Sequence, residues 1–559
     1  MYCDGKILIG KNDEGKDIYI YPKMAMRHGL IAGATGTGKT TTLKVMAEAF
    51  SDAGVPVFLA DAKGDLQGMC EAGEEKESVK QRIDEFGLNE RGFNFHKYPV
   101  NFWDVYGENG IPLRTTISEM GPILLSRIMD LNDTQSDILS IIFKIADDNS
   151  LLLIDTKDLK SMINYVSENS KELSKSYGNL PAASLNVILR AVIALESDGA
   201  EKFFAEPALN IKDWLRINED NERGYIQILE CEKLMLNPRM YSMFLLWMIS
   251  ELYETLPEAG DLDKPKMVFF FDEAHMLFDS APKILLEKIE QVVKLIRSKG
   301  VGIYFITQNP ADIPGGVLSQ LGNKVQHALH AYTPAEQKGV KAAAEGFRVN
   351  PAFDTVSVLN ELGTGEALIS VLAEDGTPTV VERVKILPPE SKMGTISEET
   401  LRAKIENSSL NDRYSNYVDN ESAYERLTKM GEEKEEAENK AKQEEEEKKA
   451  AEKEEAEAKK AAEKEEAAAK KAAEKEEAAA KKAAEKEQAA AEKAAQKEKD
   501  EKSKAVKKAA KSVASSTAGT VGREVGNSIG SAVGGTFGKK LGGNLGASLA
   551  RGIIGTLFK

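Results

Sequence analysis

Cysteines, signal-like segments and long apolar runs are scarce or missing in this 559-residue chain. The three cysteines, Cys3, Cys70 and Cys231, lie far apart and form no Cys-x-x-Cys pair, which argues against a disulfide framework and a cysteine zinc site. The N-terminal residues contain no basic region followed by an apolar stretch, and nowhere do 18 apolar residues follow one another. These absences argue against secretion and an ordinary membrane span, and they predict a cytoplasmic protein.

Charge is distributed unevenly along the chain. The formal net charge is −16, but residues 431–510 hold 22 lysines against 25 acidic residues, and residues 511–559 hold six basic residues against Glu524. Residues 1–430 therefore carry 46 basic and 64 acidic side chains, a formal charge of −18. A protein that wraps nucleic acid over its outer surface needs a basic face, because phosphate neutralisation dominates affinity. Any nucleic-acid role must therefore use a local basic lining, such as a pore.

Residues 1–430 have the hydrophobic pattern of an α/β protein. Short β-like runs at 6–10 and 17–21 indicate a hairpin, and the segment from Gly29 gives an apolar strand, a glycine loop and a helix. Further apolar strand candidates lie at 55–61, 267–273, 302–308, 327–333, 366–372 and 381–387. Buried strands that alternate with helices are typical of a mainly parallel sheet. Between 61 and 267, apolar residues recur at helical spacing, which predicts an inserted helical subdomain near 115–225 and then a helix that returns to the sheet.

The composition changes abruptly at Gly431, after which apolar residues other than alanine nearly vanish. The block AAEKEEAxAKK recurs at residues 450, 461 and 472, with a looser copy at 483. An 11-residue period keeps equivalent residues on one helix face, and each Glu–Lys pair four residues apart adds a few tenths of a kcal/mol. Residues 431–510 are therefore predicted to form a long charged α-helix, either alone or in an alanine-seamed coiled coil, with disorder as the third alternative.

The last segment, 511–559, is rich in glycine. Glycine recurs at every fourth residue from Gly522 to Gly546, each time after Val, Ile, Phe or Leu. As a helix, this glycine zipper would allow two backbones to approach closely. The formal charge of +5 in the same segment also suits an anionic membrane surface. The segment predicts self-association or membrane contact, and a flexible end is the alternative.

A phosphate-binding motif lies at the start of the first long helix. Residues 33–40 match Gly-x-x-x-x-Gly-Lys-Ser/Thr between an apolar strand and a helix, which is the context that supports the match. The nucleotide-binding candidates are Gly33, Ala34, Thr35, Gly36, Thr37, Gly38, Lys39, Thr40 and Thr41. Glycines let backbone N–H groups converge on phosphate oxygens. Lys39 is predicted to reach the β- and γ-phosphates of ATP, and the Thr40 hydroxyl is predicted to hold Mg²⁺.

Two further strand ends supply the other groups that hydrolysis needs. MVFFFDEAH places Asp272 and Glu273 after a buried strand, where Asp272 is predicted to help hold Mg²⁺ and Glu273 to polarise the attacking water. The next strand ends at Gln308, whose amide is predicted to sense the γ-phosphate. Asp61–Asp65 ends the strand that is expected beside the P-loop strand, and it is either a phosphate-side polar cluster or an ordinary turn.

The predictions for arginines and histidines rest on weaker signals. Arg297 closes the helix before the Gln308 strand and is an arginine-finger or interface candidate, although a cation at a helix C-terminus is favourable in any case. Arg348 in GFRVNP is a second candidate. His327 and His330 are three residues apart, which on a strand places them on opposite faces and argues against a metal-ligand pair.

With these residues, the chain resembles the HerA-like helicase C-terminal domain family of P-loop ATPases, within the FtsK/HerA superfamily. The resemblance covers about residues 5–430 and rests on the strings RHGLIAGATGTGKT, FLADAKGDL, KPKMVFFFDEAHMLF and QVVKLIRSKGVGIYFITQNPADIP. It implies a RecA-like core in a homohexameric ring, with ATP and Mg²⁺ between subunits and DNA passing through the pore. It also supports Lys39, Thr40, Asp272, Glu273 and Gln308 as site residues.

Two functions from different classes follow from the sequence. The first is a ring-type ATP-hydrolysing motor that acts on nucleic acid, helicase- or translocase-like. The second is an ATP-gated assembly or membrane-associated scaffold without helicase activity, in which the long helix spaces the ATPase from whatever the glycine zipper contacts.

Overall fold

The computed structural model describes residues 1–279, 283–329, 331 and 333–497, and the predicted glycine zipper, His330 and residues 498–510 lie outside this part. The strands are β1 (Tyr2–Cys3), β2 (Lys6–Asn12), β3 (Asp17–Ile20), β4 (Gly29–Ala32), β5 (Val57–Asp61), β6 (Val100–Asp104), β7 (Ile111–Pro112), β8 (Ile226–Glu230), β9 (Met267–Phe271), β10 (Val301–Thr307), β11 (Asn323–Gln326), β12 (Glu366–Ser370) and β13 (Glu382–Ile386).

The helices before the sheet's central strand β9 are α1 (Pro22–Ala25), α2 (Lys39–Asp52), α3 (Glu77–Phe86), α4 (Ile117–Ile128), α5 (Asp133–Asp148), α6 (Thr156–Glu168), α7 (Ser170–Tyr177), α8 (Ala182–Ser197), α9 (Ala200–Phe203), α10 (Glu232–Met235) and α11 (Pro238–Thr255). Those after it are α12 (His275–Asp279), α13 (Lys283–Leu295), α14 (Gly315–Leu318), α15 (Pro334–Glu345), α16 (Thr355–Glu361), α17 (Glu398–Glu406), α18 (Asn411–Tyr414) and α19 (Ala423–Lys497). Short 3₁₀ turns lie at Gln67–Cys70, Asn89–Arg91, Ile211–Leu215, Ile296–Lys299 and Pro310–Asp312.

The described strands form one mixed sheet in the order β1-β2-β13-β12-β11-β4-β10-β9-β5-β8-β6-β7, with β3 paired to β2. Strands from β11 to β7 are parallel, whereas β12, β13, β2, β1 and β3 join in antiparallel fashion. The predicted hairpin is therefore confirmed, and so is the mainly parallel core. Every parallel strand ends at the same edge of the sheet, and that edge carries the P-loop.

Both faces of the central strands are covered. Strand β9 is wholly buried, and its residues alternate between two apolar clusters, with Phe269 and Phe271 on one face and Val268 and Phe270 on the other. Helix α2 packs in the second cluster, while the helices between β7 and β8 pack in the first. This period-two alternation, with a core on each side, explains why the run MVFFF is continuously apolar.

Helices α4 to α9 occupy the region where the sequence predicts a helical insertion. Three of them begin with capping boxes, in which Thr116, Asn132 and Asp155 accept hydrogen bonds from backbone N–H groups of the first helical turn. Helix α11 then follows the strand β8, as the predicted returning helix does. Strands β6 and β8 are absent from the sequence prediction, and each contains a buried polar residue, Asn101 or Gln227, that interrupts its apolar run.

One predicted strand lies at a different place. The sequence predicts a strand over 327–333, but β11 spans Asn323–Gln326 and the chain leaves the sheet at His327. The backbone of this apolar run hydrogen-bonds to the P-loop segment instead, since His327 N donates to Ala32 O and Ala34 N donates to Ala328 O. A continuous apolar run therefore marks burial here and does not mark a strand.

The charged segment is helical as far as the structure describes it. Helix α19 runs over 75 residues, about 110 Å at 1.5 Å per residue. Its first residues are fixed by Asp158, whose carboxylate accepts hydrogen bonds from Ser422 Oγ at 2.5 Å and Tyr424 N at 2.9 Å. The chain divides into two units between residues 442 and 443. Whether α19 is solitary or pairs in a coiled coil stays a prediction.

No single helix within the described residues is both long and apolar enough to cross a bilayer. Helices α7 and α8 together have the length and composition of a span, but the pair is sharply bent.

Candidate nucleotide-binding site

The P-loop joins strand β4 to helix α2 through backbone conformations that favour glycine. Gly33, Gly36 and Gly38 have φ values of 154°, 80° and 112°. A Cβ on Gly33 would lie 2.5 Å from His327 Cβ, so this position excludes a side chain on steric grounds as well. The Thr37 hydroxyl donates to Ala34 O at 2.7 Å and closes the loop. The loop is therefore built to present backbone to a ligand.

The P-loop also contacts the turn that leads into β12. Gly365 N donates to Thr37 O at 3.0 Å, and a Cβ on Gly38 would lie 3.1 Å from Gly365 N. Arg82 on α3 fixes this turn by donating to the carbonyl oxygens of Gly365 at 3.0 Å and Ile386 at 2.8 Å. The P-loop therefore rests directly on the antiparallel part of the sheet.

The first turn of α2 carries the predicted cation and hydroxyl. Lys39 Nζ donates to Gly33 O at 2.7 Å and Ala34 O at 3.1 Å, so its ammonium group lies against the loop. Burial lowers the pKa of Lys39, an effect that the nearby carboxylates of Glu273 and Asp272 oppose. Thr40 Oγ1 donates to Asp65 Oδ2 at 3.3 Å. Of the other predicted contacts, Thr35 and Gly36 are exposed at the loop tip, whereas Ala34 and Thr41 are partly exposed.

The two acidic residues lie directly after β9 and are largely buried. Glu273 has a φ of 48°, a left-handed conformation that is uncommon outside glycine. Both of its carboxylate oxygens have partners: Oε1 lies 2.7 Å from Lys63 Nζ, and Oε2 lies 3.4 Å from Gln308 Nε2 and 3.3 Å from His275 Nδ1. Glu273 N donates to Asp272 Oδ1 at 2.9 Å. The backbone and the side chains of Lys63 and Gln308 therefore fix the orientation of this acidic pair.

The two carboxyl groups differ in their electrostatics. Burial, followed by the neighbouring charge of Glu273, raises the pKa of Asp272 to about 6. Burial also acts to raise the pKa of Glu273, but the hydrogen bond and charge of Lys63 outweigh it, so the net shift is downward. Glu273 is therefore held as a carboxylate near neutral pH, which is the form that a general base needs.

The sheet order places Gln308 between the other two motifs. Strand β10 lies between β4 and β9, so the residue after it reaches the edge between the P-loop and the acidic pair, as predicted. Gln308 is exposed, and its contact to Glu273 is the longest in the group. These contacts bring Lys39, Asp272, Glu273 and Gln308 to one edge although they are spread over about 270 residues.

The expectation that the Asp61–Asp65 strand lies beside the P-loop strand is wrong. Strand β5 pairs with β9 and β8, and β4 is flanked by β10 and β11. All these strands are short, apolar and parallel, so the sequence contains nothing that orders them. The turn still reaches the site, because Lys63 contacts Glu273 and Asp65 contacts Thr40.

The structure places the two arginine candidates away from this chain's P-loop contacts. Arg297 precedes β10 and so lies at the amino edge of the sheet, opposite Gln308. It lines a cavity of about 650 Å³ with Arg27, Lys23 and Lys294, together with the acidic residues Glu258 and Asp261. Burial and then the charge of Arg27 lower the pKa of Arg297. Arg348 is exposed and donates to Pro378 O at 3.0 Å, on the loop between β12 and β13.

Sequence reasoning missed two residues with clear structural roles. Arg27 joins Arg297 although 270 residues separate them, and no spacing could reveal that. His327 is fully buried beneath the P-loop, where its Nε2 lies 2.8 Å from Thr42 Oγ1 and its Nδ1 lies 2.8 Å from Glu366 O. Burial lowers the pKa of His327 to about 4, so the imidazole is neutral and supports the loop.

The donor set fits a magnesium nucleotide. Thr40, Asp272 and Asp65 offer hydroxyl and carboxylate oxygens, the ligand type that Mg²⁺ prefers. The glycine loop at a helix N-terminus, with Lys39 beside it, offers the donors and positive potential that phosphate needs. The residues present therefore match both parts of the expected ligand.

A family model supports this assignment independently of the geometry. The model described as Helicase HerA-like C-terminal matches residues 6–480. The chain belongs to this family. The match includes the P-loop, both acidic residues and Gln308, which makes the HerA-like chain a P-loop NTPase.

Curated relatives of the HerA-like chain carry helicase names. It is 24% identical over 378 residues to the probable helicase MJ1565 of Methanocaldococcus jannaschii, which covers 66% of this chain and 65% of that protein. It is 22% identical over 387 residues to the DNA double-strand break repair helicase HerA of Sulfurisphaera tokodaii, covering 66% and 67%. A third match, 30% identical to the probable helicase MJECL08 of M. jannaschii, spans only 22% of each chain.

Solved structures that align with this chain include a conjugative coupling protein and VirB4. The bacterial conjugative coupling protein TrwB aligns with a TM-score of 0.44 and 13% identity, covering 68% of this chain and 88% of that one. VirB4 of Thermoanaerobacter pseudethanolicus aligns with a TM-score of 0.40 and 17% identity, covering 72% and 99%. At these scores the alignments add nothing to the assignment of site residues.

Proposed function

We propose that this chain hydrolyses ATP at the P-loop site and uses the energy to move nucleic acid through a homohexameric ring. The observation that carries the proposal is the convergence of Lys39, Glu273 and Gln308 at one sheet edge, with Glu273 ionised and hydrogen-bonded to Lys63 and Gln308. Phosphoryl transfer to water depends on groups that bind the phosphates and on a residue that orients the attacking water, and these residues are of those types.

Each residue has a defined task in this proposal. The P-loop backbone and Lys39 bind the β- and γ-phosphates, while Thr40 and Asp272 hold Mg²⁺. When bound, Mg²⁺ neutralises charge on the phosphate oxygens. Glu273 orients and polarises the attacking water, and Gln308, which already contacts Glu273, links that base to the γ-phosphate.

The amino edge supplies cations that this chain's own P-loop does not use. We assign Arg297 as the arginine that reaches the nucleotide of a neighbouring subunit, with Arg27 beside it in the same cavity. Arg348 is the second candidate for an interface cation. A site that needs cations from the opposite edge of an identical chain is completed only in an oligomer, and a closed ring gives every subunit the same environment.

The nucleic-acid part rests on the family and on the relatives named helicase. A body with a formal charge of −18 does not suit DNA on its outer surface, so the polymer is assigned to a pore. The test is the ATP turnover rate with single-stranded DNA, duplex DNA or RNA, measured with molar mass in the presence and absence of ATP. Equal turnover with and without every polymer, and no binding to any of them, would contradict the motor.

The long helix favours one alternative, an ATP-gated scaffold in the cytoplasm that associates with a membrane or with itself through residues 511–559. Helix α19 is highly charged, and its residues 428–487 are exposed, as those of a spacer would be. Deletion of 431–559 should then abolish assembly or vesicle binding and leave ATP turnover intact. Unchanged sedimentation and vesicle partition after the deletion would remove this alternative.

A further inference from the structure

The turn Asp61–Asp65 contacts two groups of the nucleotide site at once. Lys63 Nζ donates to Glu273 Oε1 at 2.7 Å, and Asp65 Oδ2 accepts from Thr40 Oγ1 at 3.3 Å. Both residues lie on the turn after β5, which two strands separate from β4, so the turn extends past the ends of β9 and β10 to the site. An ordinary strand-end turn would not need to meet both the base and the magnesium hydroxyl.

The backbone of this turn is held by hydrogen bonds, whereas the Lys63 side chain is largely exposed to solvent. The buried Asp61 carboxylate accepts from Lys63 N at 3.2 Å and from Leu66 N at 3.0 Å, and Gly64 has a φ of 71°. The Lys63 side chain is 54% exposed, against 8% for Glu273. The ordered backbone of the turn therefore places a long, partly solvated cation next to the acidic pair.

The two lysines approach the site from different sides. Lys39 Nζ donates to Gly33 O at 2.7 Å on the loop, whereas Lys63 Nζ donates to Glu273 Oε1 at 2.7 Å on the acidic pair. In the proposed function, the terminal phosphate of ATP binds between these two sides, since Lys39 binds the β- and γ-phosphates.

We propose that Lys63 is a γ-phosphate ligand whose Nζ transfers from Glu273 Oε1 to a terminal phosphate oxygen when ATP binds. The transfer makes Lys63, beside Gln308, a second residue that distinguishes ATP from ADP, and it frees one oxygen of Glu273 for water. This inference rests on the proposed function. A lysine suits the task, because its ammonium is a compact point charge on a flexible stem and needs no fixed planar partner.

The competing interpretation is that Lys63 stays on Glu273 and only neutralises it. The single variant Lys63→Met does not separate the two, because an unpaired Glu273 carboxylate would repel ATP in either case. The two interpretations can be distinguished in a variant in which residue 273 carries no charge. Glu273→Gln is that variant, since Lys63 then has no carboxylate partner at residue 273 to leave.

The experiment compares Glu273→Gln with the double variant Glu273→Gln/Lys63→Met in the full chain by isothermal titration calorimetry. The probes are a non-hydrolysable ATP analogue and ADP, each with Mg²⁺. In this background we expect Lys63→Met to weaken binding of the analogue about tenfold, as the loss of one charge-assisted contact would. The affinity for ADP should change less than about twofold. Lys63→Arg should recover part of the loss, because it keeps the charge.

The matched control is Lys144→Met in the same background, which removes another solvated lysine from an ion pair on helix α5. It should leave both affinities unchanged. Equal analogue affinity with and without Lys63, or equal losses for the analogue and ADP, would overturn the inference while leaving the ATPase proposal in place. Failure of every variant and the native chain to bind either nucleotide would instead overturn the proposed function, and this inference with it. Lys63→Gln repeats the measurement should the methionine variant fold poorly.

Discussion

In the proposed function, the two edges of the parallel sheet supply different groups to the hydrolytic site. At the carboxyl edge, Glu273 makes contacts with Lys63, Gln308 and His275, so the acidic groups are already paired within the chain. At the amino edge, Arg297 and Arg27 line an open cavity together with two lysines and two acidic residues. In the proposed function, this difference means that each chain supplies the base from one edge of its sheet and, from the opposite edge, a cation to a neighbouring subunit.

The largest effect is expected from a substitution of Glu273 at the carboxyl edge. Glu273→Gln should lower kcat about 10³-fold while ATP still binds, because a general base contributes roughly 10² to 10⁴. The readout is phosphate release at saturating ATP together with a binding isotherm. Glu108→Gln, which alters an exposed ion pair with Lys233, serves as the control and should retain full turnover. Normal turnover in Glu273→Gln would show that another group is the base.

The amino edge is tested by complementation between subunits. Arg297→Ala should lower kcat on the order of 10²-fold, as loss of one preorganised charge-stabilising donor does, without weakening ADP binding. Chains with Arg297→Ala mixed with chains carrying Lys39→Ala should regain part of the activity, because some mixed interfaces contain both intact residues. If the two variants co-assemble and the mixture stays inactive, Arg297 does not act across subunits.

A steric change separates the crowded edge from open surface. Gly33→Ala should destabilise the fold by about 1–3 kcal/mol and weaken nucleotide binding, because the new methyl group meets His327 Cβ at 2.5 Å. Gly315→Ala at the start of α14 has nothing within 4 Å of its added carbon and is the matched control. Chemical denaturation of both variants measures the difference in their free energies of unfolding. Equal midpoints would show that the P-loop accommodates the methyl group without loss of stability.

A further effect on stability, which appears only on acidification, concerns a histidine at the amino edge. His28 is buried with both ring nitrogens bonded, Nε2 to Val293 O at 2.8 Å and Nδ1 to Ile303 N at 3.0 Å, and burial lowers its pKa to about 4. The unfolded chain, with a histidine pKa near 6.5, therefore binds the proton first. Stability from neutral His28 is present above about pH 6.5 and is lost as pH falls towards 4, by about 1.4 kcal/mol per pH unit.

The readout for His28 is a difference, since other buried groups titrate in the same window. The gap in unfolding free energy between the native chain and His28→Gln should narrow as pH falls from 6.5 to 5. A gap that stays constant over this range would mean that folding does not lower the pKa of His28.

The motifs that sequence alone can locate are those whose chemistry is local. The P-loop occupies eight consecutive residues, and Asp272 and Glu273 adjoin each other after an apolar strand, so spacing is sufficient. Most strands and the helices of the insertion can also be predicted from the periodicity of the apolar residues. An apolar run misplaces strand β11, because burial against the P-loop and burial in a sheet leave the same signature.

Relations between distant segments cannot be read from the sequence. Two strands separate β5 from β4, an arrangement that depends on how a long helical insertion returns to the sheet, and the meeting of Arg27 with Arg297 depends on which edge each strand begins at. The contact of Lys63 with Glu273 has the same origin, since its spacing of 210 residues carries no pattern.

The meeting of Gly38 with Gly365 has a mechanical consequence. Backbone touches backbone at this point, so no rotamer is available to absorb a displacement of the phosphate-gripping turn. In the proposed function, a shift of the P-loop on nucleotide binding would therefore move Gly365 as well, and with it the start of β12 and the end of β13, because Arg82 binds both to the same turn. The antiparallel flank of the sheet would then respond directly to the state of the nucleotide site.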